Sequence, residues 1–191
     1  MRSIQFSTML AAILVSGGAA FGADFTIDPV HSAAIFKVKH MGASYTYGQF
    51  TDIAGQFSFD PAKPEASSVE VMIKADSINT HNEMRDRHLK GPDFFDTKEN
   101  PTLSFKSTAW KKTGEHTYDV TGDITLRGKS KSITVPVEHV GDGKDPRGNE
   151  LTGFHTTFTI DRGEFGINYG LPDAVPSKVE IIFSVEGTKK K

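Results

Sequence analysis

Apolar residues recur at every second position through most of this chain, the pattern of strands with one buried face. Phe25 and Ile27 begin it, and Ala34, Phe36 and Val38 follow. Val69, Val71 and Ile73 alternate cleanly, as do Leu103 and Phe105. Tyr118, Val120, Gly122, Ile124 and Leu126 form a longer run, with Ile133, Val135 and Val137 after it. Phe154, Thr156, Phe158 and Ile160 make another, and Val179, Ile181, Phe183 and Val185 close the series. Segment 49–59 (QFTDIAGQFSF) also reads as strand, with a bend expected near Gly55. Turn formers separate the runs: Asp60-Pro61, Lys63-Pro64, Lys112-Thr113-Gly114 and Arg127-Gly128-Lys129. Segment 141–149 (GDGKDPRGN) reads as the longest and most flexible loop. About eight strands result, an all-β fold. Pairing the last strand with the first removes exposed edges and gives a barrel; a two-sheet sandwich is the structural rival.

One segment breaks the alternation. Residues 80–89 (THNEMRDRHL) read as a short helix, with Asn79 or Thr80 as its cap and Gly91-Pro92 as its end. Glu83 and Arg87 stand four apart and can pair on its surface. The start of the chain reads as an address. Arg2, the short apolar stretch Met9 to Val15, and Ala20 and Gly22 before Ala23 have the order of a secretory signal peptide. Residues 1–22 are therefore expected to be removed, leaving 23–191 as one domain. The stretch is shorter than the roughly 20 residues a membrane anchor needs, and no later segment is long and apolar enough to span a membrane.

The chain has no cysteine, which excludes disulfides, thiol chemistry and thiolate metal sites. Losing Arg2 with the leader takes the formal net charge from −2 to −3. That total gives no electrostatic reason to bind nucleic acid or an anionic lipid surface. Neither a G-x-S-x-G elbow, an H-E-x-x-H helix nor a phosphate-binding glycine loop occurs. His81 and His88 could share a face of the helix, but the pair lacks a third ligand and reads as structural. The carboxylates from Asp76 to Glu99 read as a solvated surface, and Asp161-Arg162 as a salt-bridged strand end. No enzymatic activity, cofactor or metal is expected.

The aromatic content is more informative. Twelve of the fourteen phenylalanines remain after the leader is removed. They can fill a core, yet a wide barrel is not closed by side chains alone. Apolar walls then suit a long apolar ligand, at roughly 0.8 kcal/mol per buried CH₂. Phe36, Phe57, Phe105, Phe158 and Phe183 are candidates for the wall, because alternation can point them inward. His31 and His40 flank the first aromatic strand and are candidates for a hydrogen bond to a ligand head group at the mouth.

Ordered motifs across almost the whole mature chain resemble the YceI-like family of polyisoprenoid-binding, lipocalin-like proteins. They begin with segment 28–32 (DPVHS) and segment 36–42 (FKVKHMG). Segment 85–96 (RDRHLKGPDFFD) is the strongest, and segments 122–129 (GDITLRGK) and 161–167 (DRGEFGI) follow. The resemblance implies an eight-stranded antiparallel lipocalin-like barrel with a short helical insertion. It implies binding, sequestration or transport of a long-chain isoprenoid, quinone or fatty amphiphile in the periplasm. It also permits a homodimer. Two other readings stand beside it: an isoprenoid-quinone carrier serving membrane redox partners, and a stress-response protein that binds partners without defined cargo.

Overall fold

The alternating segments fold as strands, each antiparallel to its neighbours, in a computed structural model that describes residues 23–190. The leader assigned to residues 1–22 lies outside the described residues. The strands are β1 (Ala23–Ile27), β2 (Ala33–His40), β3 (Ser44–Phe50), β4 (Ile53–Phe59), β5 (Ser68–Lys74) and the two-residue β6 (Ile78–Asn79). Helix α1 (Glu83–Lys90) comes next, then β7 (Thr102–Lys112), β8 (Thr117–Leu126), β9 (Lys129–Lys144), β10 (Glu150–Asp161) and β11 (Lys178–Lys189). The order round the wall is β1-β4-β5-β7-β8-β9-β10-β11, and β11 pairs back onto β1 from Phe25–Lys189 to Ile27–Gly187. The sheet closes on itself, so the barrel and not the sandwich is the fold.

Two of the eight staves are bent and so appear as two strands each. β1 and β2 both pair with β11, while β3 pairs with β2 and β4 with β1. The second bend falls at Thr51–Asp52, not at Gly55 as the sequence suggested. There the backbone N–H groups of Thr51 and Asp52 donate to Ser77 Oγ, both at 3.1 Å, and the chain turns toward that neighbour. Gly55 stays in register opposite Val71, and its glycine answers a close approach: a Cβ would lie 2.2 Å from the Glu70 carbonyl oxygen.

Segment 141–149 also differs from the expected loop. β9 runs through Lys144 and pairs with β10, leaving a tight turn in which Asp145 accepts from Arg147 N, Asn149 N and Asn149 Nδ2. The β8–β9 hairpin matches its sequence signal. Arg127 and Gly128 both have positive φ, 49° and 67°, as a two-residue turn of this hand requires. The cap of helix α1 falls two residues after Thr80 and three after Asn79, the caps expected. Asn82 accepts from Arg85 N, while Thr80 Oγ1 donates to Asp86 and accepts from Arg85 Nε. His81 therefore precedes the helix and shares no face with His88. The Glu83–Arg87 pair forms, at 3.8 Å.

One end of the barrel is plugged by aromatic packing. Phe59 contacts Trp110, Tyr118, Phe154 and His139, with ring centroids 4.9–6.1 Å apart. Tyr118 is 1% exposed, and burial pushes its phenol pKa above the ordinary value. Imidazole fits here because His139 Nε2 meets Thr152 Oγ1 at 2.9 Å. No helix among the described residues is long and apolar enough to cross a membrane.

Candidate ligand-binding site

Strand alternation puts Val120, Val135, Phe154 and Val185 on the inner face, and that face encloses a cavity of about 240 Å³. The cavity starts at the aromatic plug and extends toward the helical insertion, where Leu89, Phe94 and Phe95 line it opposite Val175. Its lining is apolar apart from Ser104, Thr125, His155, Thr156 and Arg162. This is a small volume for a ligand site, with the dry wall and few polar groups such sites share.

All five phenylalanines proposed from alternation, Phe36, Phe57, Phe105, Phe158 and Phe183, line the cavity. Phe57 lies deep, 4% exposed and stacked on Phe25 at 5.1 Å, whereas the other four are half-buried because one side of each ring faces the empty space. Three of them lie over glycines, Phe36 and Phe105 over one on the adjacent strand and Phe57 over one on β11, across β1. A Cβ on Gly48 would meet Phe36 Cζ at 2.2 Å, one on Gly122 would meet Phe105 Cζ at 2.5 Å, and one on Gly187 would meet Phe57 Cζ at 2.4 Å. The missing side chains let the rings lie against the wall and not across the lumen. At Gly48 the crowding atoms all belong to side chains, those of Phe36 and Thr80. Gly48→Ala is therefore expected to keep the fold but swing Phe36 inward and weaken uptake of an apolar ligand about tenfold, roughly 1.4 kcal/mol. A binding titration checks it.

The two histidines proposed for the mouth do not line the cavity. His40 ends β2 in phase with Ala34, Phe36 and Val38, but the strand has passed the wall there and the side chain is exposed. His31 sits in the bend between β1 and β2, outside the alternation. Its Nδ1 lies 2.8 Å from Asp28 Oδ2 and 3.5 Å from Glu186 Oε1. Asp28 Oδ1 also accepts from Val30 N, and Ser32 Oγ accepts from Glu186 N. The segment DPVHS thus fastens the bend to β11.

The hydrogen bond to Asp28 is the main cause that raises the His31 pKa, and the same bond holds Asp28 below its ordinary value. A raised folded-state pKa means stabilisation present in full below the unfolded value near 6.5 and lost as pH rises through the folded value. The Asp28 contribution has the opposite sense and is lost as pH falls through its lowered value. His31→Gln is therefore expected to cost more melting temperature at pH 5.5 than at pH 8.5. Thermal melts of both proteins at the two pH values check this.

Other lining residues escaped the sequence reading. Phe50 and Phe154 were in phase and could have been found, but Phe94 and Phe95 come from the insertion, where no period applies. Phe95 meets Phe50 edge-on at 5.4 Å, and Phe94 packs with His88 and Tyr169. Arg162 corrects the expectation of a salt-bridged strand end. It is 4% exposed, and its guanidinium donates to the carbonyls of Pro176, Ile167, Tyr169 and Val175 at 2.5–3.1 Å. Burial lowers its pKa. The neighbouring Asp161 pairs instead with Lys178 at 3.5 Å.

Comparison with known proteins agrees with this architecture. The model of the YceI-like domain matches residues 25–187. A UPF0312 protein of Pseudomonas putida (strain W619) is 42% identical over 184 residues, 95% of each chain. Among solved structures, BcnA of Burkholderia cenocepacia superposes with a TM-score of 0.78 at 29% identity, over 84% of this chain and 98% of that one. A polyisoprenoid binding domain from Saccharophagus degradans superposes with a TM-score of 0.68, over 87% of this chain and 98% of that one. At 14% identity it shows the shared fold alone. Barrel, insertion and sequence together show that this chain belongs to the YceI-like domain family.

Proposed function

We propose that this protein binds a long-chain isoprenoid or similar amphiphilic lipid and carries or sequesters it in the periplasm, without catalysis. The fold and family are of the lipocalin-like binding type, suited to hydrophobic ligands. The observation that carries the proposal is the continuous apolar lining from the aromatic plug to Phe94 and Phe95. A chain threading it exchanges water for wall contacts at roughly 0.8 kcal/mol per methylene and needs few directional bonds. Phe36, Phe57, Phe105, Phe158 and Phe183 supply the ring contacts in this reading. A polyisoprenoid binding domain of the same fold makes a prenyl chain the first cargo to test. Periplasmic placement rests on the leader pattern in residues 1–22. An isoprenoid quinone is the cargo variant that would connect the protein to membrane redox partners; a homodimer would leave the interior of each barrel as it is.

Native mass spectrometry of protein taken from its own periplasm without detergent tests the proposal, with extraction and identification of bound lipid. A one-to-one isoprenoid or quinone mass is expected. A protein that arrives empty and takes up no such lipid in vitro would turn the reading toward a partner-binding stress protein.

A further inference from the structure

Three side chains able to ligate a metal converge on the outside of the barrel, away from the cavity. His31 Nδ1 lies 2.8 Å from Asp28 Oδ2 and 3.5 Å from Glu186 Oε1, and the three ligand atoms all fall within 4.8 Å of one another. None of these residues lines the cavity. Asp28 and His31 sit in the bend after β1, and Glu186 comes from β11 at the other end of the chain. Ligands about 2.0–2.1 Å from a zinc ion, at octahedral to tetrahedral angles, stand roughly 2.9–3.4 Å apart. The two spacings at His31 bracket that range.

The backbone holds the three residues in place without using these ligand atoms. Asp28 N donates to the Glu186 carbonyl at 2.8 Å, and Glu186 N donates to Ser32 Oγ at 3.1 Å. Asp28 accepts from Val30 N through Oδ1, which leaves Oδ2 to face the imidazole. On β11, Glu186 follows the buried Val185 and points outward, and its partner on β10 is Gly153. A glycine there has no side chain to cover the carboxylate or pair with it. Ligands fixed in this way need little rearrangement to close on an ion.

Charge gives a second reason. Among the described residues no lysine or arginine pairs with Asp28 or Glu186, and His31 is the sole ion-pair partner of each. Two carboxylates therefore share one imidazole, and one positive charge at most offsets two negative ones. A dipositive ion offsets both. In the metal-free protein a hydrogen bond joins His31 to Asp28, and a bound metal takes the place of its proton.

We propose that Asp28, His31 and Glu186 form a surface site for a zinc-class divalent cation, which ties the bend between β1 and β2 to β11. The donor set selects the ion: an imidazole nitrogen suits zinc and its neighbours, whereas calcium and magnesium take oxygen ligands. Three protein ligands leave a position for water, and the His31 side chain, 63% exposed, is open enough to admit it. The sequence reading expected no metal because it weighed histidines close together in the chain, whereas Glu186 reaches this site only through the pairing of β11 with β1. The site lies outside the cavity and is independent of any lipid cargo.

Calorimetric titration of zinc chloride into untagged, chelator-treated protein tests the site, alongside Asp28→Asn, His31→Gln and Glu186→Gln. One zinc per chain is expected in the natural protein. Its melting temperature should rise by about 5 °C or more once free zinc stands about 100-fold above the dissociation constant. Loss of an outer-shell partner costs about 10–100-fold in metal affinity, and each of these variants loses a direct ligand, so each should weaken zinc at least as much. Asp28→Asn keeps an oxygen for Val30 N and is the variant most certain to fold. His116→Gln, which removes an exposed histidine beside Glu115, should bind as the natural protein does. A further readout needs no variant: zinc should protect His31 from acylation by diethyl pyrocarbonate while His116 still reacts, as read by peptide mass spectrometry. Absence of zinc binding, natural affinity in any of the three folded variants, or protection of other histidines in place of His31 overturns the site.

Discussion

Phe158→Asp is expected to lower affinity for a prenyl alcohol by about 100-fold while the barrel remains folded. Phe158 lies opposite Ile181 in the β10–β11 ladder and lines the cavity, half-buried. Losing its ring contact with the ligand costs on the order of 1.5–3 kcal/mol. A carboxylate left against a hydrocarbon chain adds a desolvation cost that the unbound protein avoids by admitting water. A total of about 3 kcal/mol corresponds to about 100-fold in affinity. The control is the adjacent Thr157→Asp, at an exposed position pointing away from the lumen. Circular dichroism and a binding titration on both variants separate loss of site from loss of fold. Equal affinities for the two would mean that the chain does not run past Phe158.

The second large effect concerns stability at the plugged end. Phe59→Ala removes the ring that touches Trp110, Tyr118, Phe154 and His139 together. Phe59 is 6% exposed, and truncating such a ring costs about 3–5 kcal/mol because its neighbours collapse only in part. For a chain of this length that lowers the melting temperature by roughly 2–4 °C per kcal/mol, so a fall of about 6–20 °C is expected in calorimetry. Phe183→Ala should cost distinctly less, because Phe183 already faces the cavity on one side. The contrast matters because the same residue type packs as core in the plug and lines the cavity elsewhere.

The sequence carried most of this wall openly. Alternation along β2, β4, β7, β10 and β11 locates the inner face, and it was enough to place all five proposed phenylalanines on the cavity. Where that periodic signal ends, the reading failed for identifiable reasons. Phe94 and Phe95 are positioned by the turn after α1, and nothing in their spacing says that they reach back to Phe50. The bend at Thr51 depends on Ser77, a residue more than twenty positions away, while Gly55 drew attention for a close approach to Glu70 that leaves the strand straight. Asn82 and not Thr80 caps the helix because Thr80 is held by Asp86 and Arg85. The Asp-Pro-Val-His-Ser motif was legible as a motif but not as a fastener, since its partner Glu186 stands at the other end of the chain.

The central claim is that an apolar chain lies inside the barrel, and photo-crosslinking tests it most directly. A prenyl alcohol bearing a diazirine near its tail end is bound, irradiated, and located by peptide mass spectrometry. The account predicts one label per protein on inner-face positions of β7, β10 and β11, among them Phe105, Phe158 and Phe183, competed away by unlabelled alcohol. Labels confined to outward-facing positions such as Thr157, or labelling that unlabelled alcohol does not reduce, would contradict it.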